Sequence, residues 1–472
     1  MKEHCGVFGI SSSPDAAHDV FYGLLALQHR GQESAGISTF SESMKTHVGM
    51  GLLNNVFDAD KLENLKGSIG IGHVRYSTAG ASIIENAQPM ELESGRYKIS
   101  VGFNGNVPNY QVYMDMLSKE AQLKTTCDAE GLGMIFLRAL DKNNDIIEAS
   151  KELLNIVPAA YSMVMLVYDK FTNKSSVVGI RDRYGLRPLC IGKRENGYVI
   201  ASESVALDAV GAALVSDVEP GSVEILSGNE RVSRKLADGK KAHCMFEFVY
   251  FSRPDSVLEG KSVYEVRLKL GKNLVKAFNA NADVVVPVPD TSRPAAEGIS
   301  ELTDIPVAEG LMKNRYIGRT FIMPEQKTRE DAVKTKLNPV KSVLKDKNIT
   351  LIDDSIVRGT TTKKIVKLVK NAGAKNVDVW ITCPPIVSPC FYGIDMKSHS
   401  ELIAANNSVE EIRDIMGADS LNYQTIEGLK DAIGIEGLCT ACLTGVYPTE
   451  DAQKIADKMK EQTGLMAKKF WK

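Results

Sequence analysis

The spacing of apolar and polar residues divides the chain into two halves of different character. From Ala160 to about Leu226, short runs rich in Val, Ile and Tyr alternate with turn residues, which predicts strands of a large antiparallel sheet. A polar, charged stretch without periodicity follows at 228–241 and is taken as the domain boundary. The predicted strands of the first half lie at 162–168, 175–180, 189–191, 198–202 and 222–226.

Beyond that boundary, buried strands alternate with segments of helical spacing, which predicts a parallel α/β sheet. After Glu401 the pattern is mostly helical. The predicted elements here are helices at 263–279 and 362–372 and strands at 283–287, 349–353 and 378–382.

Composition narrows the class of protein. A length of 472 residues allows two domains, and 43% apolar with 25% charged residues is ordinary for a soluble globular chain. A net charge of −2 gives no reason to expect nucleic acid or an anionic membrane as a partner. No apolar run is long enough to span a membrane, and the N-terminus lacks the apolar stretch of a signal peptide. A cytoplasmic location is therefore expected, so the eight cysteines need an account other than disulfides.

The most informative segment is residues 349–362, where an apolar strand ends in Asp353-Asp354 and a Gly/Thr-rich loop leads into a helix. Backbone N–H groups of such a loop and of a helix N-terminus bind phosphate, and paired carboxylates suit the hydroxyls of a ribose. The order therefore predicts a pocket for a 5-phosphorylated ribose. The alternative is a plain strand-to-helix turn, which explains one acid and one Thr but not the whole set.

This segment resembles the phosphoribosyl-pyrophosphate (PRPP) motif of the type I phosphoribosyltransferases. The resemblance implies a pyrophosphate loop at 284–293 and a basic lid at 310–339, and it implies Mg²⁺ bound with PRPP. The implied PRPP-binding residues are Asp290, Asp353, Asp354, Ser355, Arg358, Gly359, Thr360, Thr361 and Lys336, and the implied Mg²⁺ contacts are Ser292, Asp353 and Asp354.

Cys5 places a thiol at the start of a β-type run, only four residues after Met1. If residues 1–4 are removed as a propeptide, Cys5 has a free α-amine. This amine titrates at about pH 8, so it can take the thiol proton at neutral pH. Taken alone, Cys5 is more simply an ordinary buried cysteine of a first strand.

Four blocks that follow change that interpretation. They resemble, in order and spacing, the glutaminase domain of the class II amidotransferases, an N-terminal-nucleophile fold, over residues 5–230. The departures from the family pattern are Phe103, where His is usual, and Ala129, where Ser or Thr is usual. The blocks are Leu27–Ile37, Gly72–Gly80, Phe103–Asn106 and Cys127–Glu130.

The resemblance assigns a role to each block. An amino acid substrate presents a carboxylate and an ammonium, for which Arg75 and Asp128 are the implied anchors. Acyl transfer needs an oxyanion hole, and the implied donors are the Asn104 amide and the Gly105 N–H. Cys5 is the implied nucleophile.

Four cysteines could bind metal. Cys439 and Cys442 form a C-x-x-C pair, and Cys244 and Cys390 stand elsewhere in the chain. Spacing alone does not separate tetrahedral zinc from a [4Fe–4S] cluster. The resemblance favours the cluster, in a structural role, and leaves Cys127, Cys190 and Cys383 as ordinary thiols.

With the segment Cys244–Ser256, these blocks resemble the glutamine PRPP amidotransferase family over nearly the whole chain, from Cys5 to about Tyr447. The implied fold is an N-terminal-nucleophile αββα sandwich, then a type I phosphoribosyltransferase parallel α/β sheet, then a helical tail. The expected divisions are 1–4 (propeptide), 5–235, 236–400 and 401–472.

The implied activity is formation of 5-phosphoribosylamine from glutamine and PRPP, the entry step of purine synthesis, with ammonia passed internally. A homotetramer inhibited by purine nucleotides is also implied. Two rivals remain: a degenerate glutaminase domain in a chain that uses free ammonia or only senses PRPP, and a base-salvage phosphoribosyltransferase. An intact glutaminase set argues against the second.

Overall fold

The computed structural model describes residues 5–76, 82–113, 124–314 and 337–463. In its first half, two antiparallel sheets stack face to face. The strands are β1 (Gly6–Ile10), β2 (Ser34–Phe40), β3 (Met44–Met50), β4 (Ile69–Arg75), β5 (Met90–Glu93), β6 (Tyr97–Asn106), β7 (Ala160–Asp169), β8 (Lys174–Arg181), β9 (Cys190–Arg194), β10 (Gly197–Ala201), β11 (Ala213–Asp217), β12 (Ser222–Ser227) and β13 (Glu230–Lys235).

One sheet has seven strands in the order β11-β9-β10-β1-β4-β2-β3, and the other has six in the order β13-β12-β8-β7-β6-β5. Apolar side chains such as Val7, Ile71 and Val164 fill the layer between them. Helices cover both outer faces, so the expected αββα sandwich is confirmed. The described helices of this half are Ala16–Ala26, Leu53–Val56, Ala59–Asn64, Asp128–Asn143, Ile146–Ile156 and Val205–Asp208.

The prediction of one large antiparallel sheet was wrong, although its strands exist. β7, β8 and β12 join the six-stranded sheet, whereas β9 and β10 join the other. Alternation reports that a strand has one buried face, but it does not report which sheet the strand joins. The polar stretch at 228–241 also contains β13, whose charged residues suit an exposed sheet edge.

The second half is built on a four-stranded parallel sheet in the order β17-β20-β21-β22, as the alternation of strands and helices predicted. Its strand β17 is wholly buried and β20 and β21 are largely buried, because helices cover the sheet. The strands of this half are β14 (His243–Cys244), β15 (Val257–Leu258), β16 (Lys261–Ser262), β17 (Val284–Pro287), β18 (Leu311–Lys313), β19 (Leu337–Pro339), β20 (Asn348–Asp353), β21 (Asn376–Ile381), β22 (Ser420–Tyr423) and β23 (Leu438–Cys439).

The segment after Glu401 is not purely helical. It supplies β22 to the parallel sheet, and β23 returns to pair with β14 at the junction of the two halves. In the ranges described, no helix is long and apolar enough to cross a membrane. The α-helices of this half are Val263–Ala277, Arg293–Thr303, Lys341–Leu344, Thr360–Asn371, Ile403–Asn406, Val409–Met416, Ile426–Ile433, Ala441–Thr444 and Glu450–Thr463.

Candidate active site

The Cys5 thiol lies at the start of β1, almost fully buried. Its Sγ donates to the carbonyl of Tyr76 at 3.4 Å, and Arg30 Nε donates to the carbonyl of Cys5 at 3.0 Å. Burial raises the pKa of the Cys5 thiol, while nearby Arg75 lowers it. The thiol is therefore held in place but needs a base to become a nucleophile. Residues 1–4, the predicted propeptide, lie outside the described residues.

Asn104 and Gly105 lie at the end of β6. The Asn104 side chain is fully buried, and neither its nitrogen nor its oxygen has a hydrogen-bond partner among the described residues. A buried amide without a partner is costly unless a ligand satisfies it. At Gly105, a Cβ would lie 2.2 Å from the carbonyl oxygen of Ala160, so only glycine fits there. This is the pair expected of an oxyanion hole.

Arg75 and Asp128 are both buried, at the end of β4 and the start of the helix Asp128–Asn143. Asp128 Oδ2 has no hydrogen-bond partner in the described ranges, and burial raises the pKa of this carboxyl to about 6. Both charges act on the Cys5 thiol. The structure thus brings the Cys5 thiol together with the two residues predicted to anchor the substrate.

The two departures from the family pattern lie in the core. Phe103 is 2% exposed and packs its ring 6.1 Å from that of Tyr161, and Ala129 is fully buried. Both side chains belong to the apolar cluster between the six-stranded sheet and its helices.

A second site is a cavity of about 590 Å³ at the carboxyl ends of the parallel strands. In open α/β sheets, ligands bind at this edge. The predicted residues on its wall are Asp290, Asp353, Asp354, Ser355, Arg358, Gly359, Thr360 and Thr361.

The acidic pair lies at the end of β20, with each acid 8% exposed. Asp354 accepts from Thr291 Oγ1 and from Ser355 Oγ, both at 2.6 Å, and Asp353 accepts from the Asp354 N–H at 2.9 Å. Burial, and then the charge of Asp354, raises the pKa of Asp353 well above its ordinary value. Two crowded carboxylates of this kind favour a ligand that is cationic or rich in hydroxyls.

The loop after the acids turns at Gly359, whose φ of +73° favours glycine. The helix Thr360–Asn371 begins there, so its first N–H groups face the cavity beside Thr360 and Thr361. Such a helix start suits a phosphate. Arg358 pairs with Glu401.

Asp290 holds two cations, Arg293 at 2.6 Å and Lys313 at 2.7 Å. Burial alone would raise the pKa of Asp290, but these two partners lower it. Ser292 is placed differently from the prediction: it is buried, it is not among the residues that line the cavity, and its Oγ has no partner in the described part of the chain. The predicted Lys336 and most of the predicted lid lie outside the described residues.

Several cavity residues lie in the predicted segments but were not among the predicted binding residues. Thr291, next to the predicted Ser292, bonds to the acidic pair, and Lys313 and Thr362 also line the wall. Arg267 is a buried guanidinium on the same wall, and burial lowers its pKa to about 10. Nothing in its helical context distinguished Arg267 from a surface arginine.

The two sites are joined by buried charges. Arg30, which bonds to Cys5, donates to Glu203 at 2.5 Å and to Glu247 at 2.8 Å. Glu203 also accepts from His29, a residue of the cavity wall, at 2.8 Å. Glu247 begins the turn Glu247–Phe251, which leads to the cavity wall. The chain of contacts therefore runs from the backbone of Cys5 to the edge of the acidic cavity.

The four predicted metal-binding cysteines meet at the junction. Register pairs Cys244 of β14 with Cys439 of β23, and the Cys442 carbonyl accepts from Val387 N–H at 2.9 Å, close before Cys390. Burial raises the pKa of Cys244 to about 11. All eight cysteines of the chain are described and none forms a disulfide. As their side chains stand, no three His, Cys, Asp or Glu in the described ranges are close enough to hold a metal ion.

Comparison with known proteins divides the chain at the same place. Residues 58–227 match a family described as a glutamine amidotransferase domain, and residues 255–386 match a phosphoribosyl transferase domain.

Full-length relatives carry one name. An amidophosphoribosyltransferase of Methanothermobacter thermautotrophicus is 48% identical, with 95% of each chain covered, and that of Bacillus subtilis is 42% identical, again with 95% of each covered. A solved structure described as glutamine PRPP amidotransferase from B. subtilis complexed with ADP and GMP superposes with a TM-score of 0.87 at 41% identity, covering 95% of this chain and 98% of that one.

Proposed function

The chain belongs to the amidophosphoribosyltransferase family, and from that premise we propose how its residues divide the reaction. The enzyme makes 5-phosphoribosylamine from glutamine and PRPP, the first step of de novo purine synthesis. Glutamine, PRPP and water give the amine, glutamate and pyrophosphate.

The glutaminase half-reaction is assigned to the buried thiol site. Arg75 binds the carboxylate of glutamine and Asp128 its ammonium. Cys5 attacks the carboxamide carbon, and its own α-amine, freed by removal of residues 1–4, takes the thiol proton and passes it to the departing ammonia. Water then hydrolyses the resulting thioester, which releases glutamate and restores the thiol. The observation that carries this assignment is the Asn104 amide, buried beside Gly105 without a partner in the described ranges, as an oxyanion hole requires.

The transferase half-reaction is assigned to the acidic cavity. The Asp353 and Asp354 carboxylates hold the ribose hydroxyls and steady the positive charge that develops at the sugar carbon. Ser355 to Thr361 hold the 5-phosphate, and Lys313, a cation of the cavity wall, faces the pyrophosphate. Ammonia reaches this site internally, across the junction that Arg30, Glu203 and Glu247 form.

Mg²⁺ fits the acidic pair. Mg²⁺ is commonly held by one or two carboxylates with substrate phosphates completing its shell, and this cavity offers two buried acids beside a phosphate loop. Asp353 and Asp354 would hold it. When bound, it neutralises the charge that builds on the pyrophosphate.

For the junction thiols we propose a [4Fe–4S] cluster, because backbone pairing brings together the three segments that carry the four cysteines. The thiols, as their side chains stand, would have to turn toward one another to hold it. Cys244, Cys390, Cys439 and Cys442 would hold it, and it would cross-link the junction to the C-terminal segment. Tetrahedral zinc is the alternative. Broad absorbance at about 400 nm in anaerobically purified protein would support the cluster. Absence of this absorbance, together with one zinc ion bound per chain, would support zinc.

The remaining features of the family are proposed by likeness. We place the enzyme in the cytoplasm as a homotetramer. We expect purine nucleotides to inhibit it, since the superposed relative is described as complexed with ADP and GMP.

Glutamate release from glutamine, measured with and without PRPP, tests the assignment. We expect hydrolysis that PRPP stimulates, and loss of it in Cys5→Ala with ammonia-dependent synthesis retained. Intact mass establishes whether Cys5 is the N-terminal residue. An enzyme with N-terminal Cys5 that releases no glutamate but uses ammonia would instead support a degenerate glutaminase domain.

A further inference from the structure

On one side of strand β6, no strand of the described residues pairs with the segment that carries the proposed oxyanion donors Asn104 and Gly105. The other side of β6 pairs with β7 along its whole length, whereas on this side β5 begins only at Met90, opposite Val101. Pro89 precedes Met90 and has no N–H to extend the ladder. The peptide groups of Phe103 on that side would therefore be buried without backbone partners.

Two side chains take the place of the missing strand. Gln88 Oε1 accepts from the Phe103 N–H at 2.7 Å, and His73 Nε2 lies 2.9 Å from the Phe103 carbonyl oxygen, to which it must donate. Both residues are buried, and burial lowers the pKa of His73 to about 3, so the ring is neutral at working pH. The N–H and the carbonyl of Phe103 are thus each held by a side chain, and neither bond depends on the side chain of Phe103 itself.

Strand geometry carries this constraint to Gly105. In an antiparallel ladder, alternate residues direct their N–H groups to the same side. Because the N–H of Phe103 points to Gln88, the N–H of Gly105 also points away from β7, to the side where the oxyanion would form. Asn104 lies between them, so a shift at Phe103 moves both proposed donors.

The other arm of Gln88 reaches the substrate anchor. Its Nε2 donates to Cys127 Sγ at 3.5 Å, and Cys127 directly precedes Asp128. The backbone of Gln88 packs closely against Gly36 of β2. A Cβ on Gly36 would lie 2.4 Å from the Gln88 carbonyl oxygen and 2.8 Å from Pro89. Gly36 therefore allows the Gln88 backbone to lie against β2.

We propose that Gln88 is a positioning residue of the glutamine site, whose amide fixes the oxyanion strand through the Phe103 N–H and joins it to the Asp128 anchor through Cys127. This inference rests on the proposed glutaminase role. It also explains why Phe103 can stand where the family usually has His: the backbone at this position is held by Gln88 and His73, and its side chain lies in the core.

The test compares Gln88→Met with Gln88→Glu in the full-length enzyme. Methionine preserves volume but neither bond, whereas glutamate keeps an oxygen that can accept from Phe103. We expect Gln88→Met to lower kcat for glutamine hydrolysis by about 10–100-fold, less than deletion of an oxyanion donor. KM for glutamine should rise by no more than about threefold, because the bond to Cys127 is lost but the Asp128 anchor itself remains. Gln88→Glu should retain most of kcat.

Ammonia-dependent synthesis is the internal control, because it bypasses the thiol site, and we expect it unchanged in both variants. Gln424→Met is the matched control, since Gln424 is a buried glutamine of the other half that bonds to the Leu270 carbonyl at 2.9 Å. It should leave glutamine hydrolysis kcat intact.

Wild-type kcat in Gln88→Met, equal losses in both Gln88 variants, or a parallel loss of ammonia-dependent activity would each overturn the inference. Wild-type enzyme that hydrolyses no glutamine would overturn the proposed function itself, so the two failures are distinguishable.

Discussion

At the scale of single residues, burial sets the protonation of the acids in both sites. Burial raises the pKa of Asp128 to about 6, and only its ionised form attracts the ammonium of glutamine. As pH falls below about 6, we therefore expect KM for glutamine to rise by up to about tenfold per pH unit. Steady-state glutaminase kinetics between about pH 5 and 8 measure this. Asp128→Asn should show a high KM without that pH dependence, and a flat wild-type KM would contradict the assignment.

The buried acidic pair of the cavity, which is proposed to bind substrate, lowers the stability of the folded protein at neutral pH. The raised pKa of Asp353 comes from burial and then from Asp354, so folding takes up a proton that the unfolded carboxyl, with a pKa of about 3.9, has released. Stability contributed by this group is thus present at low pH and is lost as pH rises through the folded pKa.

Asp353→Asn should therefore raise Tm at neutral pH by roughly a few degrees while PRPP-dependent synthesis is lost. The gain in Tm should vanish near about pH 4. Calorimetry at both pH values, with the exposed Asp238→Asn as control, checks it. A lower Tm in Asp353→Asn at neutral pH would show that the buried charge is compensated within the protein.

Site residues could be predicted from the sequence where they stand next to one another in the chain. Asp353, Asp354 and the threonines identify themselves by adjacency, and Cys5, Arg75, Asn104 and Asp128 by their blocks. Gln88 and Arg267 were not predicted, because their roles arise from contacts far away in sequence. Ser292 was chosen where its neighbour Thr291 makes the bond, since a pattern cannot orient hydroxyls within a turn.

At the scale of elements, the helix Thr360–Asn371 depends on how it begins. Gly359 has a φ of +73°, and a Cβ there would lie 2.7 Å from the tip of Ile403. Gly359→Ala should cost about 1–3 kcal/mol through backbone strain. Because the displaced loop supplies the phosphate N–H groups, KM for PRPP should rise severalfold.

Gly434→Ala is the matched variant. Gly434 has a φ of +63° at the end of the helix Ile426–Ile433 and does not line the cavity. It should lose similar stability in denaturant titration with KM for PRPP unchanged. Equal KM values for PRPP in the two variants would contradict a role of this helix start in phosphate binding.

The strands for which the sequence predicted bounds lie within a few residues of the observed ones, because a two-residue period is local. Their grouping into two sheets was not, and neither were β13 and β22, which are short or polar. Those strands are recruited by neighbours distant in sequence, as β22 is by β21.

At the scale of the whole molecule, buried charges hold the two halves together. Glu247 is 2% exposed and receives two hydrogen bonds from Arg30, at 2.8 and 2.9 Å. Glu247→Met would leave Arg30 a buried cation with one partner fewer, which typically costs about 3–5 kcal/mol. We expect calorimetry to show the halves unfolding in separate transitions, with Tm lowered.

The exposed pair of Arg253 and Asp255 is the control, since Asp255→Asn should cost no more than about 1 kcal/mol. A single unshifted transition in Glu247→Met would mean that apolar contacts alone join the halves.

The pairing of β14 with β23 has a consequence for how the protein is made. Cys244 meets Cys439 across nearly two hundred residues of intervening chain, and Cys442 follows still later. A ribosome that has finished the first half can release a folded sandwich, because domains fold in order of synthesis. The thiol centre, however, stays incomplete until the second cysteine pair emerges. A metal held by these four cysteines, as proposed, would therefore have to be delivered late in synthesis or after it, when one half is already folded.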